Sequence, residues 1–152
     1  MAASKNLLLS AAVLLSVLAA AAASAATYCQ PGMAIPHNPL RGCRQYVLRR
    51  ACGVAASAGG RLYDWTVKER CCRELAAVPA YCRCAALAYF MDGVVTSSGA
   101  FEGRLLEDLP GCPRETQRGL AAMLTTPGEC NLETIHGGPY CLSLTDREMP
   151  NY

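Results

Sequence analysis

The alternation of apolar and polar positions divides this chain near residue 26. Before that point the run from Leu7 to Ala23 is apolar, Lys5 precedes it, and small residues close it at Ser24, Ala25 and Ala26. A positive end, an apolar stretch and small residues in that order make an export signal, cut after Ala26 or after Ala25. An anchoring span needs a longer apolar run. Beyond residue 26 the pattern becomes helical. Leu40, Cys43, Val47 and Ala51 recur at three- and four-residue steps. They predict a first helix with Asn38 as N-cap, Pro39 at the first helical position and Gly53 as its stop. The stretch Gly53 to Tyr63 contains three glycines among small residues and predicts a loop. Thr66 with Glu69 reads as a capping box, opening a second helix that runs to about Val78. Pro79 breaks that helix and starts a third, from Ala80 to about Asp92, with Gly93 as its end. Val94 to Glu102 reads as a loop or a short hairpin. Pro113 begins a fourth helix that ends near Leu124, ahead of Pro127. The remainder, residues 128–152, has no period and is tied down by Cys130 and Cys141. Trp65, a lone tryptophan near a helix start, is expected to pack in the core.

Cysteine usage changes the picture. The chain has 10 cysteines, all beyond residue 28: Cys29, Cys43, Cys52, Cys71, Cys72, Cys82, Cys84, Cys112, Cys130 and Cys141. An even count behind an export signal is a disulfide framework. The expected fold is therefore all-α: one disulfide-stapled domain, residues 27–152, with four short helices, long irregular connections and five disulfides. Helices this short are marginal alone, and each disulfide contributes roughly 2–4 kcal/mol. Ten cysteines allow nine times the 105 pairings open to eight, and spacing alone does not choose among them. Adjacent helical positions point about 100° apart, so Cys71 and Cys72 should bond to different partners. Metal binding through Cys82-Arg83-Cys84 would require reduced thiols, which an exported chain lacks.

Charge and motif content exclude further classes. The chain carries 14 Lys and Arg against 12 Asp and Glu, and the signal contains one of the basic residues, Lys5. A net charge near +1 for the exported part argues against a nucleic-acid partner, and no later segment reads as a membrane span. Of the two histidines, His37 precedes the first helix and His136 sits in a glycine-rich turn. Neither accompanies a nucleophile or zinc motif, so the chain reads as no enzyme and no cofactor is implied. A storage albumin would be rich in glutamine, whereas only Gln30, Gln45 and Gln117 occur.

The cysteine order, with its adjacent pair and C-x-C, resembles that of the cereal seed inhibitors of trypsin and α-amylase, within the prolamin superfamily. The likeness extends to Ile35–Leu40, Arg70–Leu75, Val78–Cys84, Met91–Val95, Glu102–Leu106, Asp108–Arg114, Glu129–Leu132 and Thr134–Gly137. The resemblance implies a four-helix, disulfide-linked fold with pairs Cys29–Cys82, Cys43–Cys71, Cys52–Cys112, Cys72–Cys130 and Cys84–Cys141. It also implies a partner, a trypsin-like serine protease. In trypsin-inhibiting members the loop between the first two helices carries Gly-Pro-Arg-Leu, matched here by Gly59, Gly60, Arg61 and Leu62. Arg61 would then be P1 and Leu62 P1′. A long cation suits an S1 pocket with a carboxylate at its base. The loop departs from the family pattern at two places: Gly60 stands where the family has proline, and the 18 residues between Cys52 and Cys71 make it about four residues longer, an extension that costs little closure entropy. Some members also inhibit animal α-amylase with their N-terminal segment, of which Thr27 and Tyr28 remain here. The alternative to protease inhibition is an amylase inhibitor or a seed storage or allergenic protein. Lipid transfer is disfavoured by the charge of Arg83 and by chain length. The implied setting is secretion, with defence of seed tissue.

Overall fold

The computed structural model describes residues 28–53, 60–135 and 137–145. The expected export signal, Thr27, His136 and most of the expected loop after Gly53 lie outside them. The elements are α1 (Arg41–Cys52), α2 (Gly60–Ala77), a 3-10 turn (Ala80–Cys82), α3 (Arg83–Asp92), strands β1 (Val94–Val95) and β2 (Phe101–Glu102), α4 (Arg114–Ala122) and a short α5 (Leu142–Thr145). Four helices of nine residues or more thus make up the described domain, which is all-α apart from one two-stranded hairpin.

Each long helix buries a stripe at helical spacing. α1 buries Cys43, Tyr46 and Val47; α2 buries Val67, Cys71 and Leu75; α3 buries Ala86, Leu87, Phe90 and Met91. Both α2 and α4 pack on α1, and α3 packs on α4. The disulfides run through this core: Cys29–Cys82, Cys43–Cys71, Cys52–Cys112, Cys72–Cys130 and Cys84–Cys141. Cys71 and Cys72 leave α2 in different directions, one toward α1 and the other toward the turn at residue 130.

Two helix starts differ from the sequence expectation. α1 begins at Arg41, two residues past Pro39, because Asn38 and Leu40 take left-handed φ values of 47° and 63°. Its cap comes from another helix: Glu74 of α2 accepts the Gly42 N–H at 2.7 Å. A Cβ on Gly42 would lie 2.5 Å from that carboxylate, so glycine is what admits the cap. α2 begins at Gly60, six residues ahead of Thr66. The glycines that signal a loop stop at Gly60, and nothing from Arg61 to Thr66 breaks a helix. Glu69 therefore lies inside the helix and pairs with Arg73 at 3.0 Å, one turn on, rather than closing a capping box.

The other punctuation follows local chemistry. Gly53 and Gly93 close α1 and α3. After Pro79 the chain makes the 3-10 turn, in which Cys82 N–H donates to the Pro79 carbonyl at 2.8 Å, and α3 follows from Arg83. Pro113 precedes α4, where Asp108 accepts the Arg114 N–H at 2.9 Å. Val94 to Glu102 is the hairpin, pairing Val94 with Glu102 and Val95 with Phe101.

Candidate functional site

The chain between Cys52 and Cys71 is held at both ends. Upstream, Cys52 at the end of α1 is bonded to Cys112. Downstream, Cys71 and Cys72 in α2 are bonded to Cys43 and Cys130. Between these anchors stand Gly60, Arg61 and Leu62. They were expected in a loop; the structure gives their backbone as the first turn of α2. A protease reads an extended strand, so presenting the Arg61–Leu62 bond to one requires this turn to open. Helix ends are suited to that, because their first N–H groups have no intrahelical partner.

Behind the first turn, α2 is fixed firmly. Lys68 Nζ donates to the Gly128 carbonyl at 3.1 Å, lies 3.5 Å from Glu129, and sits over the Tyr46 ring. The Tyr46 hydroxyl donates to Glu129; burial, then this carboxylate, raises its pKa. Trp65 does not pack in the core. It is 63% exposed, because it lies two residues from Val67 and hence about 200° around the helix from the buried stripe.

The chain contains a second Gly-Arg-Leu, at Gly103-Arg104-Leu105. The two copies are unlike in structure. Arg104 is exposed, but its φ is 51°, and its N–H donates to the Tyr89 carbonyl at 2.9 Å. Leu105 N–H donates to the Phe90 carbonyl at 2.8 Å. Both N–H groups are spent on the end of α3, and a left-handed arginine cannot lie as a strand in a protease cleft. Gly103, at φ 82°, leaves no room for a Cβ against the Tyr89 carbonyl. The signal for this distinction is absent from the tripeptide itself.

At the N-terminal end, Thr27 is outside the described residues. Tyr28 is 48% exposed and its ring centroid lies 5.8 Å from that of Tyr81, itself 45% exposed. The Cys29–Cys82 bond fastens the two backbones side by side. A hydrogen bond with Tyr28 is the main cause raising the Tyr81 pKa.

The remaining candidate chemistry is structural. His37 Nδ1 lies 2.7 Å from Glu102 Oε1, and Asn38 N–H donates to the other oxygen at 2.9 Å. The Asn38 N–H first, and His37 next, hold the Glu102 carboxyl below its ordinary value. Arg83, between the two cysteines of the C-x-C, donates to the carbonyls of Leu75, Ala76, Val78 and Glu133. No cluster of three or more His, Cys, Asp and Glu suited to a metal occurs among the described residues, and no helix among them is long and apolar enough to cross a membrane.

Comparison with known proteins gives a consistent picture. Residues 18–141 match the model of the protease inhibitor/seed storage/LTP family. An α-amylase/trypsin inhibitor of Eleusine coracana is 64% identical over 121 residues, covering 80% of this chain and 96% of the relative. Trypsin inhibitor CMe of Hordeum vulgare is 56% identical over 144 residues, 95% of each chain. The crystal structure of the bifunctional inhibitor ragi aligns with a TM-score of 0.70 at 63% identity, covering 76% of this chain and 95% of that one.

Proposed function

The chain belongs to the protease inhibitor/seed storage/LTP family, and from that premise we propose that it is a secreted inhibitor of trypsin-like serine proteases with Arg61–Leu62 as its reactive bond. The observation that carries this reading is the position of Gly60-Arg61-Leu62 at the N-terminal end of α2, between disulfide anchors on both sides. Two of its relatives are named as trypsin inhibitors. The export signal and disulfide density support the secretory pathway, and the cereal relatives support a seed setting.

In this reading the first turn of α2 opens into a strand that the protease accepts as substrate. Opening residues 60–62 breaks about three helical hydrogen bonds, each worth roughly 0.5–1.5 kcal/mol net. Strand pairing with the enzyme replaces them. The Arg61 stem then packs along the S1 wall while its guanidinium pairs with the carboxylate at the base. If the protease cuts the bond, the disulfides keep the new ends close, so resealing competes with release and net hydrolysis is slow. The protein itself performs no chemistry. The test is inhibition of trypsin by the oxidised protein beside Arg61→Ala. Tight inhibition lost by at least a hundredfold in the variant is expected; equal inhibition by both overturns the assignment.

A second reading, α-amylase inhibition through Thr27 and Tyr28, is favoured by the exposed Tyr28–Tyr81 pair fastened beside the N-terminal disulfide. Paired rings on a rigid edge suit a carbohydrate-binding cleft. Loss of amylase inhibition in Tyr28→Ala, with trypsin inhibition kept, is the expected result; retention of both removes Tyr28 from the contact.

A further inference from the structure

We infer that Trp65 is a second contact for the protease, placed on the leaving-group side of the reactive bond and selecting enzymes with an apolar rim there. The inference rests on the Arg61–Leu62 reading. With Arg61 as P1, Trp65 is P4′, one helical turn and about 6 Å along the axis from it.

Further along the outward side of α2 stand Thr66, Glu69, Arg70 and Arg73, all polar and exposed, and Glu69 and Arg73 are paired with each other. A single exposed apolar side chain is ordinary on a protein surface. This one differs in its position and in its support. It adjoins the bond proposed to enter the protease cleft, so a docked enzyme comes to cover it. It also stands on the part of α2 that stays helical when the first turn opens. Lys68, three residues on, fastens that part to the Gly128 carbonyl and Glu129. The ring is therefore presented from a rigid element and loses little freedom on binding. Tryptophan is among the side chains most enriched at the energetic centres of interfaces, because it removes a large apolar area from water at low entropic cost. Leu62, at P1′, lies on the same side of the bond, so P1′ and P4′ would give the enzyme two apolar footholds.

The chain has one tryptophan, which makes the contact directly readable. Protein grown with 5-fluorotryptophan gives one fluorine resonance, and unlabelled trypsin adds none. Titration with trypsin should shift that resonance, and Trp65→Ala should weaken inhibition about 30-fold, the loss typical of an interface hot spot, while Trp65→Phe keeps most of it. Because the side chain is exposed, the melting temperature of Trp65→Ala should stay within about 2 °C of the parent. Arg61-dependent inhibition that remains within about threefold in Trp65→Ala overturns the contact and leaves the reactive-bond reading standing. Failure of the unmutated protein to inhibit trypsin overturns both.

Discussion

Replacing Arg83 with methionine should loosen the C-terminal end of α2 and leave the proposed reactive bond at its other end working. α2 ends at Ala77, and its last carbonyls have no helical partner. The Arg83 guanidinium gathers this end of the chain, bonding two carbonyls of the last turn of α2 and two beyond the helix. It donates to Glu133 O at 2.6 Å, Val78 O at 3.1 Å, Ala76 O at 3.3 Å and Leu75 O at 3.4 Å. Its positive charge also suits a helix C-terminus. Methionine keeps most of the stem and removes every donor. The two shorter bonds are each worth about 1.5 kcal/mol, as charged donors to neutral acceptors. The two longer ones add little, since water can replace them. The expected loss is about 3 kcal/mol, or a fall in melting temperature of about 10 °C for a domain of this size. Arg83→Lys keeps the charge and part of the bonding and should lose about half as much. The assay is denaturant unfolding of the oxidised protein followed by far-UV circular dichroism, with an unchanged slope showing that the compactness of neither state has altered. Trypsin inhibition should persist, because the 18-residue helix separates Arg83's end from Arg61's by about 27 Å. A stability change under about 0.5 kcal/mol would refute the role of Arg83 in tying the end of α2 to residues 78 and 133. Loss of inhibition in a variant still folded at the assay temperature would refute the independence of the two ends.

Three further predictions address other contacts. Gly42→Ala pushes Glu74 off the α1 N-terminus, since the new Cβ meets its carboxylate at 2.5 Å. It should destabilise by about 1 kcal/mol in thermal unfolding, whereas Gly119→Ala, with open space around it in α4, should stabilise by about 0.5–1 kcal/mol. The Glu102 carboxyl titrates below its ordinary value in the folded protein. Its contribution is therefore present above the unfolded carboxyl value of about 4.3 and disappears as the pH falls through the folded value. The stability advantage of the parent over Glu102→Gln, measured by urea midpoint, should be present at pH 6 and shrink in acid; an advantage that grows in acid refutes it. Prolonged incubation with trypsin should nick Arg61–Leu62 and spare Arg104–Leu105, whose N–H groups are engaged by α3; peptide mapping that finds the second cut first would contradict this.

Residues acting through their own backbone were legible in the sequence. Gly53, Gly93, Pro79 and Pro113 mark helix boundaries because a permissive φ or a missing N–H operates locally. The helical stripe of α1 through Cys43 and Val47, and the hairpin alternative for Val94–Glu102, came from the same short-range signals. What depends on a distant partner was not legible. Asn38 carries the right chemistry for a cap, yet Glu74, 32 residues beyond Gly42, supplies it, because α2 packs where its carboxylate reaches that N–H. Thr66 and Glu69 have capping-box spacing, yet the helix had already begun at Gly60. Trp65 is hydrophobic enough for the core, but the stripe through Val67, Cys71 and Leu75 turns it outward. Two copies of Gly-Arg-Leu are identical as sequence. Packing against α3 locks Arg104, while Arg61 stands at a helix end. Cysteine spacing left the pairing open, and the chain's path through three dimensions brings each pair of α-carbons to between 4.3 and 5.4 Å. Local composition thus determined a stapled helical domain with its main breakpoints. Tertiary packing decided which groups cap, which face is buried and which Gly-Arg-Leu copy is locked against α3, since those depend on neighbours far away along the chain.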